Sequence, residues 1–148
     1  MKFSGSIIIN RPRDLVTSIF INPDCIKEYQ DGFVRKELKK GTQGANGAVS
    51  QLLYQNGKHE MVLTETIISN DLPNSFEAFY HHKHMDNTLK CRFTQLENGS
   101  TEYISEVEYT RINWIMPRLF AILFPGMYKK PARKWLENFK RFVENYNN

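Results

Sequence analysis

The chain has 148 residues, 41% of them hydrophobic and 24% charged, with a formal net charge of +4. That length suits one domain of ordinary size with a real core, spanning 1–148, and the composition excludes a disordered chain. Two cysteines, Cys25 and Cys91, have no motif spacing, which argues against a disulfide framework and for reduced thiols in a cytoplasmic protein.

The first elements are short. Phe3, Gly5, Ile7 and Ile9 alternate with Lys2, Ser4, Ser6 and Ile8, the period of a strand. This stretch is too short and too polar for the core of a signal peptide. Pro12 has a fixed φ suited to starting a helix, and Leu15, Val16, Ile19 and Phe20 share one helical face. Asn22-Pro23-Asp24 interrupts that helix, and Asn22 or Asp24 is placed to cap a second short one running to Tyr29.

After Asp31-Gly32 the pattern turns to strands and stays so for about eighty residues. The expected strands are 33–38, 48–55, 59–69, 76–83, 87–96 and 101–111. Asn56-Gly57 and Asn98-Gly99 are strong hairpin signals, the first read as a turn with positive φ at both residues. Leu72-Pro73-Asn74 and Met85-Asp86 are read as further turns. Seven strands joined in this way describe an antiparallel meander. In the last strand Glu102, Glu106 and Glu108 lie on one face and Tyr103, Ser105, Val107 and Tyr109 on the other, so one face is wet and one is turned inward.

Residues 114–127 are apolar but broken by Pro117, Arg118 and Pro125, too short and too interrupted to span a bilayer. Two readings stand: a buried lead-in to the last helix, or a functional segment serving as a mobile gate or a membrane-touching lip. From Tyr128 to Tyr146 an apolar stripe recurs at helical spacing through Ala132, Trp135, Leu136, Phe139, Phe142 and Val143. Such a helix would be roughly 28 Å long, and its bulky rings need a broad apolar surface, which the strands supply. The charge is uneven as well. From Arg111 onward there are eight basic residues against Glu137 and Glu144, while the remainder has twelve basic and fourteen acidic. Spaced along a helix, these cations read as its wet face.

The order of one strand, two short helices, six strands and a long C-terminal helix resembles the helix-grip fold. Its superfamily is START-related and birch-pollen-allergen-like (SRPBCC), and includes the polyketide cyclase/dehydratase group. The resemblance covers nearly the whole chain. Locally, Ile9-Asn10-Arg11-Pro12-Arg13-Asp14-Leu15-Val16 is similar to the strand-to-helix passage of that superfamily. Thr64-Glu65-Thr66-Ile67, Leu72-Pro73-Asn74-Ser75-Phe76 and Phe124-Pro125-Gly126-Met127 resemble a bacterial branch. The resemblance implies an α+β fold, a seven-stranded curved antiparallel sheet around the C-terminal helix, and an apolar cavity between them for hydrophobic molecules. Members of the superfamily include both enzymes and binding proteins, so the fold does not choose between those roles.

Glu65 shares its strand face with Met61, Leu63 and Ile67, which sends a carboxylate inward, a costly placement unless it is paired. Tyr80 and His82 share a face with Phe76 and Ala78. Tyr103, Tyr109 and, on the neighbouring strand, Asn87 are the other inward polar candidates. Phe124, Trp135 and Phe139 supply rings to the same cavity. These nine residues are the expected ligand-binding set. In His81-His82-Lys83-His84 only His82 and His84 point the same way, and no HExxH or paired-cysteine motif supplies further ligands. No metal and no cofactor are therefore expected. Gly41, Gly44 and Gly47 do not make a dinucleotide fingerprint, and no nucleophile elbow or phosphate-binding loop is present.

The expected function is binding of a small hydrophobic or amphipathic molecule between sheet and helix, for storage, sensing or transport. The alternative is a cyclase/dehydratase-like enzyme using Glu65 or His82 as acid or base. Transient contact with a membrane surface through the basic end and residues 114–127 is a further option. Nucleic acid is not an expected partner, because the basic residues are not interleaved with exposed rings. No pattern in the chain sets an oligomeric state.

Overall fold

A computed structural model describes residues 2–123 and 131–147. Seven strands form one antiparallel sheet in the order β1-β7-β6-β5-β4-β3-β2. They are β1 (Lys2–Ile9), β2 (Phe33–Lys40), β3 (Val49–Asn56), β4 (His59–Asp71), β5 (Ser75–His82), β6 (Met85–Gln95) and β7 (Thr101–Ile112). Register shifts at Phe33/Arg35, Leu38/Lys40, Ile67/Ser69 and Asp86/Asn87 mark bulges, and bulges bend and twist a sheet. The helices are α1 (Arg13–Ile21), α2 (Met116–Leu123) and α3 (Pro131–Glu144), with a short 3-10 segment at Pro23–Glu28. This is the curved sheet and C-terminal helix of the helix-grip fold.

The early elements follow the expected chemistry. Pro12 precedes the first turn of α1, and Asn22 caps the 3-10 segment by accepting a hydrogen bond from the Asp24 amide at 3.0 Å. Two turns differ from expectation. Asn56 pairs with His59 as the last rung of the β3–β4 ladder, so the turn residues are Gly57 and Lys58. Positive φ falls on Gly57 alone. The Asn56 amide is used elsewhere, donating to the Ile122 carbonyl at 2.7 Å and tying α2 to this hairpin. The β5–β6 turn is Lys83-His84, because Met85 already pairs with His82 and is buried. The apolar pull on Met85 shifts the turn back by two residues.

Along α3 the expected stripe is sound: Leu136, Phe139 and Val143 are buried, and Trp135, Phe142 and Tyr146 are half-buried. The described helix of fourteen residues is about 21 Å long, and residues 124–130, which hold the expected start at Tyr128, lie outside the described residues. It packs beside the edge strand β1. There the basic residues do more than face water: Arg133 donates to the Ser6 carbonyl at 2.9 Å, and Lys140 donates to the Ile8 carbonyl. These side chains cover the exposed edge of the sheet, a common remedy for unpaired strand carbonyls. Arg11 reciprocates, donating to the carbonyls of Val143 and Tyr146 at the end of α3.

The protein buries two apolar clusters. The larger joins β1, α1, the Ile67, Ala78 and Phe93 region of the sheet, and Leu136, Phe139 and Val143 of α3. The smaller joins Leu52, Tyr54, Met61, Leu63 and Met85 with Met116 and Leu123 of α2, and Trp135 packs against it. Residues 114–123 are therefore neither wholly buried nor wholly a lip. Met116 and Leu123 are core, Ile122 is exposed, and Trp114 is 81% exposed.

Candidate functional site

Strand alternation sends Ser50 of β3, Glu65 of β4, Tyr80 of β5, Asn87 of β6 and Tyr109 of β7 to the inner face. The ladder places them side by side: Ser50 opposite Glu65, Glu65 opposite Tyr80, Tyr80 opposite Asn87, and Asn87 opposite Tyr109. A line of polar side chains thus crosses five strands. On one side its inner-face neighbours are Ile67, Ala78 and Leu89, and on the other Leu52 and Leu63. The polar line lies between the two apolar clusters.

At its centre Glu65 is buried at 4% exposure. Tyr80 donates its hydroxyl to Glu65 Oε2 at 2.7 Å, and Lys36 of β2 brings Nζ to within 2.8 Å of Oε1. The Lys36 and Glu65 side chains are 7% and 6% exposed. Removing two such charges from water is expensive, and their attraction offsets that cost only when the geometry is close. The approach of Nζ is an ion-pair contact rather than a well-aligned hydrogen bond, so Oε1 retains capacity to accept a proton donor. Asn87, 8% exposed, has no side-chain hydrogen-bond partner among the described residues. Burial, then the charge of Glu65, drives the Tyr80 hydroxyl far above the ordinary tyrosine range, so it remains a donor. Burial also raises Tyr109.

Lys36 is the residue that strand reading misses. Simple alternation along β2 would set Val34, Lys36 and Leu38 on one face, yet Val34 and Leu38 are 45% and 40% exposed. The bulge at Phe33/Arg35 takes Val34 out of the ladder, while Lys36 and Leu38 keep step opposite Leu52 and Ser50, so Lys36 faces inward. A cation between two apolar residues at alternate positions is the available signal.

His82 is also inward and buried, toward the smaller cluster. Its Nδ1 accepts a hydrogen bond from the His84 backbone amide at 3.1 Å, which fixes the neutral ring with its proton on Nε2. Burial lowers its pKa, and the neighbouring His84, Lys83, His81 and Arg111 lower it further. The His82 and His84 rings have centroids 5.4 Å apart. Among the described residues no group of three or more His, Cys, Asp or Glu is arranged to hold a metal. On the outer face Asp86 binds His81 Nδ1 at 2.5 Å and Arg111 Nε at 2.9 Å, and its carboxyl is held below the usual carboxylate range chiefly by the Arg111 hydrogen bond.

Tyr103 and Phe139 lie apart from the polar line. Tyr103 pairs with Phe93 rather than Asn87, stacks on it at 4.6 Å, and sits edge-on to Phe139. Phe20 and Phe76 complete this ring cluster of the larger core. Trp135 faces the other way, stacked on Tyr54 at 6.3 Å. Phe124 lies outside the described residues.

A curved antiparallel sheet, helices inserted after its first strand, and a C-terminal helix against its inner face define the helix-grip fold of START-related and birch-pollen-allergen-like proteins. Solved structures share it at low sequence identity. Ara h 8.0201 is 9% identical, with a TM-score of 0.72 over 97% of each chain. A protein from Mesorhizobium loti is 12% identical, with a TM-score of 0.73 over the whole of both chains. A START superfamily protein from Mycobacterium smegmatis is 13% identical, with a TM-score of 0.69 over 97% of this chain and 94% of that one. The sequence matches no protein-family model and no curated protein.

Proposed function

We propose that the protein binds a small hydrophobic or amphipathic molecule between the sheet and the C-terminal helix, in a storage, sensing or transport role. The observation that carries this reading is the polar line of Ser50, Glu65, Tyr80, Asn87 and Tyr109, set with Lys36 between two apolar clusters. A site of that kind is mostly apolar, with a few polar groups placed to orient what enters. The apolar part of a ligand lies along the clusters and its polar group meets the line. Trp135 forms the wall from the α3 side. Native mass spectrometry of the protein as purified, with solvent extraction of what it carries, tests the reading. The expected result is a noncovalent adduct of a small apolar compound. A protein that carries nothing and takes up no apolar compound under titration would contradict it.

The cyclase/dehydratase reading is less well supported. Both Glu65 oxygens are approached, one by Tyr80 and one by Lys36, and His82 Nδ1 is engaged by a backbone amide. His82 therefore has no free basic nitrogen, and Glu65 is tied into a pair with Lys36. Contact with a membrane surface rests on Trp114, 81% exposed, with Ile112 and Ile122 also exposed. Trp114→Ala is expected to reduce cosedimentation with anionic vesicles, and equal recovery of both proteins would remove this contact. No helix among the described residues is long and apolar enough to cross a membrane.

A further inference from the structure

The charge and hydrogen-bonding capacity of the polar line restrict the chemistry of a ligand's polar end. Lys36 and Glu65 are one cation and one anion, each less than a tenth exposed. Tyr80 and Asn87 beside them are neutral donors or acceptors, and His82 is held as a neutral ring by the His84 amide. Among the described residues the inner face therefore has no surplus charge with which to neutralise an ionised head group. A carboxylate placed here would sit against Glu65 without a cation of its own, and a buried charge without compensation is costly.

Two unused capacities remain at the centre. Glu65 Oε1 is buried and accepts no aligned hydrogen bond. The Lys36 ammonium has donors to spare after its contact with Glu65. The smallest neutral group that donates to the first and accepts from the second through a single atom is a hydroxyl. A ketone offers only an acceptor and leaves Oε1 as it was, whereas a carboxylate offers only acceptors and adds repulsion. The Asn87 amide, buried in the same line, is a further partner for a neutral polar group.

We infer that the ligand is a neutral, hydroxyl-bearing apolar molecule, selected against carboxylates of the same shape by the balanced Lys36–Glu65 pair. This rests on the ligand-binding reading above and adds the class of compound.

Calorimetric titration of lipid-stripped protein with dodecanol and with dodecanoate tests it. The wild-type protein is expected to bind dodecanol about tenfold or more tightly than dodecanoate, because only the carboxylate arrives uncompensated. Glu65→Gln keeps the shape and leaves Lys36 as a lone cation, so the preference is expected to invert toward dodecanoate. Adding Lys36→Met to Glu65→Gln removes that cation and abolishes the gain. Circular dichroism and melting of each variant establish that it is folded. If Glu65→Gln does not fold, the comparison of the two ligands on the wild type decides alone. Dodecanoate binding as tightly as dodecanol would overturn the inference and leave the binding reading standing. Uptake of neither compound would count against both.

Discussion

At the scale of single residues, the structure is most exposed to change at Lys36, Glu65 and His82. Removing one member of a buried pair strands the other charge, so Lys36→Met is expected to cost about 3–5 kcal/mol. Lys36→Met with Glu65→Leu should cost clearly less than the two single changes added together, since two well-packed apolar groups can replace a buried pair at little loss. Urea denaturation of the four proteins measures this, and strict additivity would mean that the pair does not interact. His82 makes stability depend on acid. Its folded pKa lies below the reference value of 6.5 because it is buried, so the unfolded chain binds the proton more readily. The stability due to the neutral ring is full above about pH 6.5 and declines as pH falls through the folded value. Wild-type stability should therefore drop on acidification below that point. His82→Asn, whose side-chain oxygen can still accept from the His84 amide, should flatten this part of the profile. An unchanged slope in the variant would assign the titration to another group.

At the scale of elements, the β1–α3 contact decides how the helix is held. A Cβ at Gly5 would lie 2.9 Å from Leu136 Cδ1, closer than real side-chain contacts permit. Alanine there can be met by a small shift of the leucine end, but Gly5→Leu overpacks the seam and is expected to cost about 1–3 kcal/mol. Phe139→Ala opens the ring cluster around Phe20, Tyr29 and Tyr103, and should cost about 3–5 kcal/mol. Thermal melting of the two variants checks both, and a neutral Phe139→Ala would mean that the helix is not seated on this core. Much of this level was legible in the sequence. Alternation placed Glu65, Tyr80, Asn87 and Tyr109 on the inner face, and helical spacing identified Leu136, Phe139 and Val143. Legibility failed where local pattern yields to pairing. The run of charges along the edge strand β2 hid Lys36, Met85 was drawn into the strand by its burial, and Asn56 kept its ladder partner and left the turn to Gly57. Tyr103 and Tyr109 share one face of one strand, so alternation alone could not separate ring core from polar line. Only the register with Phe93 and Asn87 does so.

At the scale of the whole molecule, the sheet has two edges and treats them differently. β1 is covered by Arg133 and Lys140 from α3, and β2 carries a run of charged residues through Lys40, which discourages pairing with another chain. Between those edges the polar line divides the inner face, and on this division the ligand-binding account depends. Chemical-shift mapping by NMR on adding dodecanol tests it most directly, because each strand has its own control. Glu65 and Tyr80 point inward, while their chain neighbours Thr64 and Phe79 point to the outer face. The account predicts side-chain shifts at Lys36, Tyr80, Asn87 and Trp135 that saturate together, with Thr64 and Phe79 little moved. Shifts confined to the outer face, or none along the polar line at saturating ligand, would contradict it.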